Sequence, residues 1–94
     1  MTDRERFELR EIKENRYVQI RGKCEVCGSL MSLHGAQMAH RIRQSKKNIG
    51  QYSSSIIHDP INWKLVCSLK CNAKVDISFN PEKVQEILKA IEEA

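Results

Sequence analysis

Four cysteines in two close pairs are the residues of this chain best suited to chemistry. Two residues separate Cys24 from Cys27, and three separate Cys67 from Cys71. A tight turn can present the first pair and one face of a helix the second, so the four thiolates can surround one tetrahedral Zn²⁺. Two disulfides or four free thiols are the alternatives, and a reducing compartment favours the metal. With four protein ligands the zinc has no open position, so we expect it to be structural.

Composition indicates a folded protein in such a compartment. The 94 residues are 40% hydrophobic and 30% charged, which is typical of one globular domain, here residues 1–94. No apolar run approaches the ~18 residues of a membrane span. The N-terminus alternates acids and bases and so does not resemble a signal peptide. We therefore expect a cytoplasmic protein with no membrane partner, in which a metal would support a small core.

The positive charge is concentrated between the two cysteine pairs. The net charge is +4, and residues 21–50 contain six bases against one acid. Such a local excess is an electrostatic footprint for nucleic acid or, equally, an ordinary solvated basic loop. The cations nearest the centre of the segment are Arg41, Arg43, Lys46 and Lys47.

The pattern of residues predicts an α+β fold with little strand. Helix formers without Gly or Pro predict an N-terminal helix over about 3–15. The sequence Asn80-Pro81 followed by a stripe of apolar residues predicts a C-terminal helix over about 81–93. A third helix, over 68–76, is expected to carry Cys71.

Shorter elements are predicted between the cysteine pairs. Gly35 is expected in a hairpin turn, with a short strand over Met38–Ile42. Residues 44–55 are polar and predict a loop or a short exposed helix, and Ile56-Ile57 is expected to be extended. Trp63 is expected in the core beside the zinc.

A second set of residues follows the same order as the cysteines. The segments are Cys24-Glu25-Val26-Cys27, Ala39-His40-Arg41-Ile42, Asn62-Trp63-Lys64-Leu65-Val66-Cys67 and Cys71-Asn72. In this order they resemble the HNH, or ββα-metal, endonucleases, in the four-cysteine zinc subgroup that includes phage nucleases of the endonuclease VII type. The resemblance covers residues 23–76 and implies a small treble-clef zinc domain with a short β-hairpin, flanked by the two terminal helices. A phage or bacterial origin would suit it.

The resemblance also implies roles for individual residues. His40 would be the general base that activates water for attack on phosphorus, a task that suits its near-neutral pKa. Asn62 would brace the loop and hold His40 in orientation. Asn72 would bind a catalytic Mg²⁺ or Mn²⁺, which prefers oxygen ligands. The cations Arg41, Arg43, Lys46 and Lys47 would bind the phosphate backbone of the nucleic acid, expected to be DNA.

One position departs from the family pattern. The residue before the general base is usually an acid or histidine that binds the metal, and here it is Ala39. Asp76, four residues after Asn72, would share a helix face with it and could replace the missing ligand. His58 or Asp59 could also contribute a ligand to the metal from the loop.

These observations favour two functions of different class, and a third function is a weaker hypothesis. The first is a metal-dependent endonuclease, a hydrolase acting on phosphodiester bonds. The second is a treble-clef zinc module that binds nucleic acid or a protein without cleavage, which Ala39 favours. The third is a structural subunit of a larger assembly.

Overall fold

Helices and one small sheet alternate along the chain. The structure is a computed structural model that describes residues 2–94. Within these residues it has five α-helices and two strands, and a 3₁₀ turn at Pro60–Asn62 precedes the second strand. The elements are α1 (Asp3–Gln19), β1 (Gln37–His40), α2 (Lys46–Tyr52), α3 (Ser54–Ile57), β2 (Trp63–Val66), α4 (Leu69–Val75) and α5 (Pro81–Glu93). The architecture is α+β, as predicted.

The two terminal helices form where capping residues and helix formers specify them. The Thr2 hydroxyl accepts a hydrogen bond from Glu5 N at the start of α1, and Asn80 caps α5 in the same way. α5 has the predicted bounds, whereas α1 extends to Gln19. It ends before Gly22, whose φ of +68° suits glycine and where a Cβ would lie 2.9 Å from Tyr17 Oη.

The sheet joins two segments that are distant in sequence. β1 and β2 are antiparallel, with Met38 opposite Leu65 and His40 opposite Trp63. Gly35 lies in a turn before β1, so the prediction that it forms the hairpin turn is wrong, and the connection between the strands is residues 41–62. β1 also ends at His40 instead of Ile42, because hydrogen bonds to Asn62 turn the chain away from the sheet.

The connection between the strands is helical. The predicted loop or short helix at 44–55 contains α2, capped by Ser45, and the start of α3. Ile56-Ile57 was expected to be extended, and that prediction is wrong because both residues lie in α3. The helical conformation buries Ile57 completely against its apolar neighbours.

The two main core clusters are separate from one another, and residues of this connection belong to the second. The cysteine cluster consists of the buried residues Cys24, Ala39, Val66, Cys71 and Val75. The aliphatic cluster consists of Ile42, Ile57, Val84 and Ile87. Trp63 is buried in a third, smaller group with Ala36 and Leu65, against the end of α1. Within residues 2–94, every helix is too short or too polar to cross a bilayer.

Candidate metal centre and adjacent cleft

The four cysteines converge on one point. Their Sγ atoms all lie within 4.8 Å of one another. The Sγ of Cys67 is 3.6 Å from that of Cys27 and 3.9 Å from that of Cys71. Tetrahedral zinc with Zn–S bonds of about 2.3 Å requires S···S separations of about 3.8 Å. The cysteines are therefore positioned to bind a metal ion, and the set fits structural zinc.

Local backbone structure presents each pair of thiols. In the first pair, Gly28 has a φ of +77° and its N–H donates to Cys24 O, which closes a knuckle. The N–H of Cys24 donates in turn to Ser29 O. In the second pair, Ser68 caps α4 and its hydroxyl accepts from Cys71 N, so Cys71 lies in the first turn of the helix. Knuckle, two-stranded sheet and α4 follow one another in treble-clef order.

The pKa values of the thiols differ because their hydrogen-bond partners and neighbouring thiols differ. Hydrogen bonding with the hydroxyl and the amide of Ser29 lowers the pKa of Cys27 to about 6. Although the Ser68 hydroxyl favours its thiolate, the neighbouring Cys27 and burial raise the pKa of Cys67 to about 11. Four thiolates this close repel one another unless a cation lies between them. The electrostatics therefore favour an occupied metal site at neutral pH.

Four of the predicted site residues, Arg43 among them, line one cleft beside this centre. His40 at the end of β1, Asn72 on α4 and Asp76 at the C-cap of α4 border a cavity of about 470 Å³. The remaining lining residues are Met38, Arg43, Gln44, Leu69 and Ala73. The α4 residues are spaced so that they form one face of that helix.

His40 is a half-buried residue in the lining of the cleft. Burial lowers its pKa from the ordinary value, and the nearby His58 lowers it further. The two rings meet edge to face with their centroids 5.5 Å apart. Within the described chain, His40 Nε2 has no hydrogen-bond partner. The imidazole is therefore held in a position where its neutral form is favoured.

Asn62 fixes the loop that follows His40. Its side chain is fully buried, and Nδ2 donates to Ile42 O at 3.2 Å and to Ile57 O at 2.9 Å. Its Oδ1 accepts from Ile42 N at 2.9 Å, and its own carbonyl accepts from Arg41 N at 2.6 Å. Asn62 thus binds the backbone on both sides of the connection and is the buried polar residue of the described core.

The two predicted cation ligands, Asn72 and Asp76, have protein partners. Asn72 Nδ2 donates to Gln37 Oε1 at 3.2 Å, whereas its Oδ1 has no protein donor in the described chain. Arg43 donates to Asp76 Oδ2 from Nη2 at 2.8 Å and from Nε at 3.1 Å. Although burial opposes it, hydrogen bonding to Ser78 and then to Arg43 lowers the pKa of Asp76.

The other predicted ligand positions lie away from the cleft. Ala39 is completely buried in the cysteine cluster. His58 packs on the ring of His40, and Asp59 accepts a hydrogen bond from Ile61 N at the start of the 3₁₀ turn. Among residues 2–94, neither His58 nor Asp59 lines the cavity that contains Asn72.

The four predicted phosphate-binding cations fall in different places. Arg43 lines the cleft with His40, whereas Arg41 lines a neighbouring cleft. Lys46 and Lys47 are exposed in the first turn of α2. Sequence reasoning did not find the Arg43–Asp76 pair or the glutamines at 37 and 44, because no spacing in the chain brings these residues together.

No family model matches this chain, and no curated protein or solved structure is similar enough to count as a relative.

Proposed function

We propose that this chain is a zinc-stabilised, HNH-like endonuclease that hydrolyses phosphodiester bonds of DNA in the cleft between β1 and α4. The observation that carries the proposal is the meeting of His40 with Asn72 and Asp76 in one cavity, although His40 is more than thirty residues away from the other two in the sequence. Zinc at the four cysteines would hold the start of α4, and Ala39 of β1 packs against that helix in the cysteine cluster.

His40 is the general base in this proposal. A base must be neutral to accept a proton, and burial favours the neutral imidazole. Its Nε2 has no protein partner in the described chain but is shielded from solvent, so the role as a base requires a shift of the side chain that admits water to this atom. Asn62 acts as a positioning residue, because its hydrogen bonds fix the backbone that follows the base.

The cleft offers oxygen donors of the kind that Mg²⁺ or Mn²⁺ prefers. They are the side-chain oxygens of Asn72, Asp76 and Gln44. A hard cation there would stabilise charge on the scissile phosphate. Arg43 holds the Asp76 carboxylate and its side chain is 58% exposed, so it is free to turn toward a phosphate when the carboxylate takes a different partner.

A non-cleaving nucleic-acid-binding zinc module is the second candidate. It is favoured by the ion pair that already neutralises Asp76 and by the burial of Ala39 where a ligand is usual. In this version Arg43 and the lysines of α2 bind phosphates, and His40 has no chemical role.

The test is nicking of supercoiled plasmid by zinc-loaded protein in Mg²⁺, Mn²⁺ or EDTA. His40→Ala is the test variant, and His34→Ala is the matched control because His34 is exposed in the turn before β1. We expect divalent-dependent nicking that falls by about 10²–10⁴-fold in His40→Ala and is unchanged in His34→Ala. Absence of nicking with zinc bound and DNA retained would instead establish the binding module.

The pH dependence of nicking gives a sharper test of the base. Because the pKa of His40 is lowered from its ordinary value of 6.5, the imidazole remains neutral at pH values somewhat below 6.5. The fall of the nicking rate toward acidic pH should therefore have its midpoint below pH 6.5. Rates measured at fixed divalent concentration from about pH 5 to 8 would locate it. A midpoint above the ordinary value would contradict the assignment.

A further inference from the structure

A second cleft lies beside the one that contains His40. It has a volume of about 390 Å³, and its cationic lining residues are Arg41, Lys64, Lys74 and Lys83. The two clefts share no lining residue, although His40 and Arg43 line the first and Arg41 between them lines the second. A backbone hydrogen bond from Ile77 N to Arg41 O, 2.8 Å long, joins the two segments that separate the clefts.

The lining of this second cleft has an excess of positive charge. Its four cations are accompanied by two carboxylates, those of Glu25 and Glu86. The carboxylate of Glu25 is already occupied, because it accepts from Arg16 at 3.1 Å and from Leu65 N at 2.6 Å. Within residues 2–94, neither the guanidinium of Arg41 nor the ammonium of Lys64 has an ion-pair or hydrogen-bond partner, although both residues are half-buried.

Cations without a protein partner are available to a ligand that supplies negative charge. The floor of the cleft does not favour an amphipathic acidic peptide, since Val75 and Ile87 are each only about one-twentieth exposed and already packed. The accessible walls are mainly cationic. A chain of phosphates, which needs charge and little apolar contact, fits this surface better.

We propose that Arg41, Lys64, Lys74 and Lys83 form a second phosphate-binding surface, which holds the nucleic-acid backbone beyond the segment bound at His40. The choice of nucleic acid as ligand rests on the proposed function. Because His40 and Arg41 are consecutive residues, one short segment of the chain lines both clefts. Binding here fixes position without reading sequence.

The experiment measures binding of a labelled 20-base-pair duplex by fluorescence anisotropy over a range of salt concentrations, with no divalent cation added. Each phosphate contact contributes about 0.9 to the slope of log K against log[salt]. The test variant is Arg41→Gln/Lys64→Gln, and the control is Lys70→Gln/Lys89→Gln, two exposed lysines that line neither cleft.

We expect the test variant to lower the slope by about 2 and to weaken binding by about tenfold or more, with the control unchanged. The charge-conserving Arg41→Lys/Lys64→Arg should retain the slope. If the first variant fails to fold, Lys74→Gln/Lys83→Gln removes two exposed charges of the same cleft and should lower the slope similarly.

Four results would overturn the proposal: an unchanged slope in a folded variant, an equal loss in the control, no duplex binding at low salt, or displacement of the duplex by polyglutamate as effectively as by unlabelled DNA. Failure of the two proposals is distinguishable. Divalent-dependent nicking together with an unchanged salt slope in the test variant would support the nuclease and refute the second binding surface. A lowered salt slope without nicking would support the binding surface and refute the nuclease.

Discussion

The cysteine cluster and the aliphatic cluster are two small cores built on different principles. The first contains two of the four thiols together with Ala39, Val66 and Val75, so it has little apolar surface to bury. The second is made of branched aliphatic residues and receives further cover from Tyr52 and Leu88. We therefore expect the first core to depend on a bound metal for its stability, whereas the second depends on the hydrophobic effect.

The candidate cleft lies where the two halves meet. His40 belongs to the strand over the cysteine cluster, and Arg43 follows Ile42, which belongs to the aliphatic cluster. Asn62 lies beside this junction, because its side chain bonds to the backbone of Ile42 and Ile57 in the aliphatic cluster and its carbonyl accepts from Arg41 N next to His40. A site at this junction is sensitive to the packing of both cores, and the following variants separate the contributions.

Removing a metal ligand should have the largest effect. Cys71→Ser replaces a buried thiolate with a poor zinc ligand, so we expect loss of stoichiometric zinc and unfolding of the sheet and α4. Structural zinc contributes on the order of 10 kcal/mol to the folding of such sites. Mass spectrometry and circular dichroism would measure both losses. A folded variant with one full equivalent of tightly bound zinc would contradict the assignment of Cys71.

Shortening a residue of the aliphatic cluster should cost less and leave the metal in place. Ile87→Ala removes a 5%-exposed side chain of α5, and we expect the free energy of unfolding to fall by about 2–5 kcal/mol. Zinc content should stay at one per chain. Lys89→Ala, on the exposed side of the same helix, is the control and should change stability little. Loss of zinc in Ile87→Ala would show that the two cores are not separable.

Asn62→Ala tests the connection between the cores. The substitution removes three side-chain hydrogen bonds and leaves buried groups of Ile42 and Ile57 unpaired, so we expect a loss of about 2–3 kcal/mol. Asn48→Ala removes one exposed hydrogen bond to Arg43 O and should cost much less. Thermal unfolding of both variants gives the comparison, and equal losses would refute the bracing role of Asn62.

The ion pair at the cleft should contribute least to stability. Arg43 is largely exposed, so Arg43→Gln should change the free energy of unfolding by less than about 1 kcal/mol. The same substitution should raise the pKa of Asp76, because it removes a donor and a positive charge from that carboxyl group. Carbon-detected NMR titration measures this pKa. An unchanged value would mean that Ser78 alone holds the carboxylate.

The sequence predicted the parts of the fold that local rules determine. Cysteine spacing indicated the metal centre, and the Asn80-Pro81 start with its apolar stripe indicated α5 and its bounds. It also placed Asn72 and Asp76 close together, and both line the same cleft, although α4 ends at Val75 and Asp76 is its C-cap with an extended backbone. Each of these inferences needed only residues within a few positions of one another.

The failures came from contacts between distant residues. Ile56 and Ile57 are β-branched, and an extended conformation was predicted for them. The burial of Ile57 against Ile42 and α5 overrides that local preference. The strand at His40 ends early because of Asn62, which lies far along the chain. The burial of Ala39 and the pairing of Asp76 with Arg43 likewise depend on tertiary packing, and no local pattern predicts them.

The attachment of α1 has a consequence for its dynamics. Its side chains are exposed or half-buried throughout, and its contacts are strongest in the last turn. There Arg16 lies 4.2 Å from the centre of the Trp63 ring and donates to Pro60 O, and Tyr17 Oη donates to Met31 O. The first turns resemble an isolated helix, which is marginal in water. Amide hydrogen exchange along α1 should therefore form a gradient, fast at Glu5 and slow at Tyr17, while the amides of β2 exchange last.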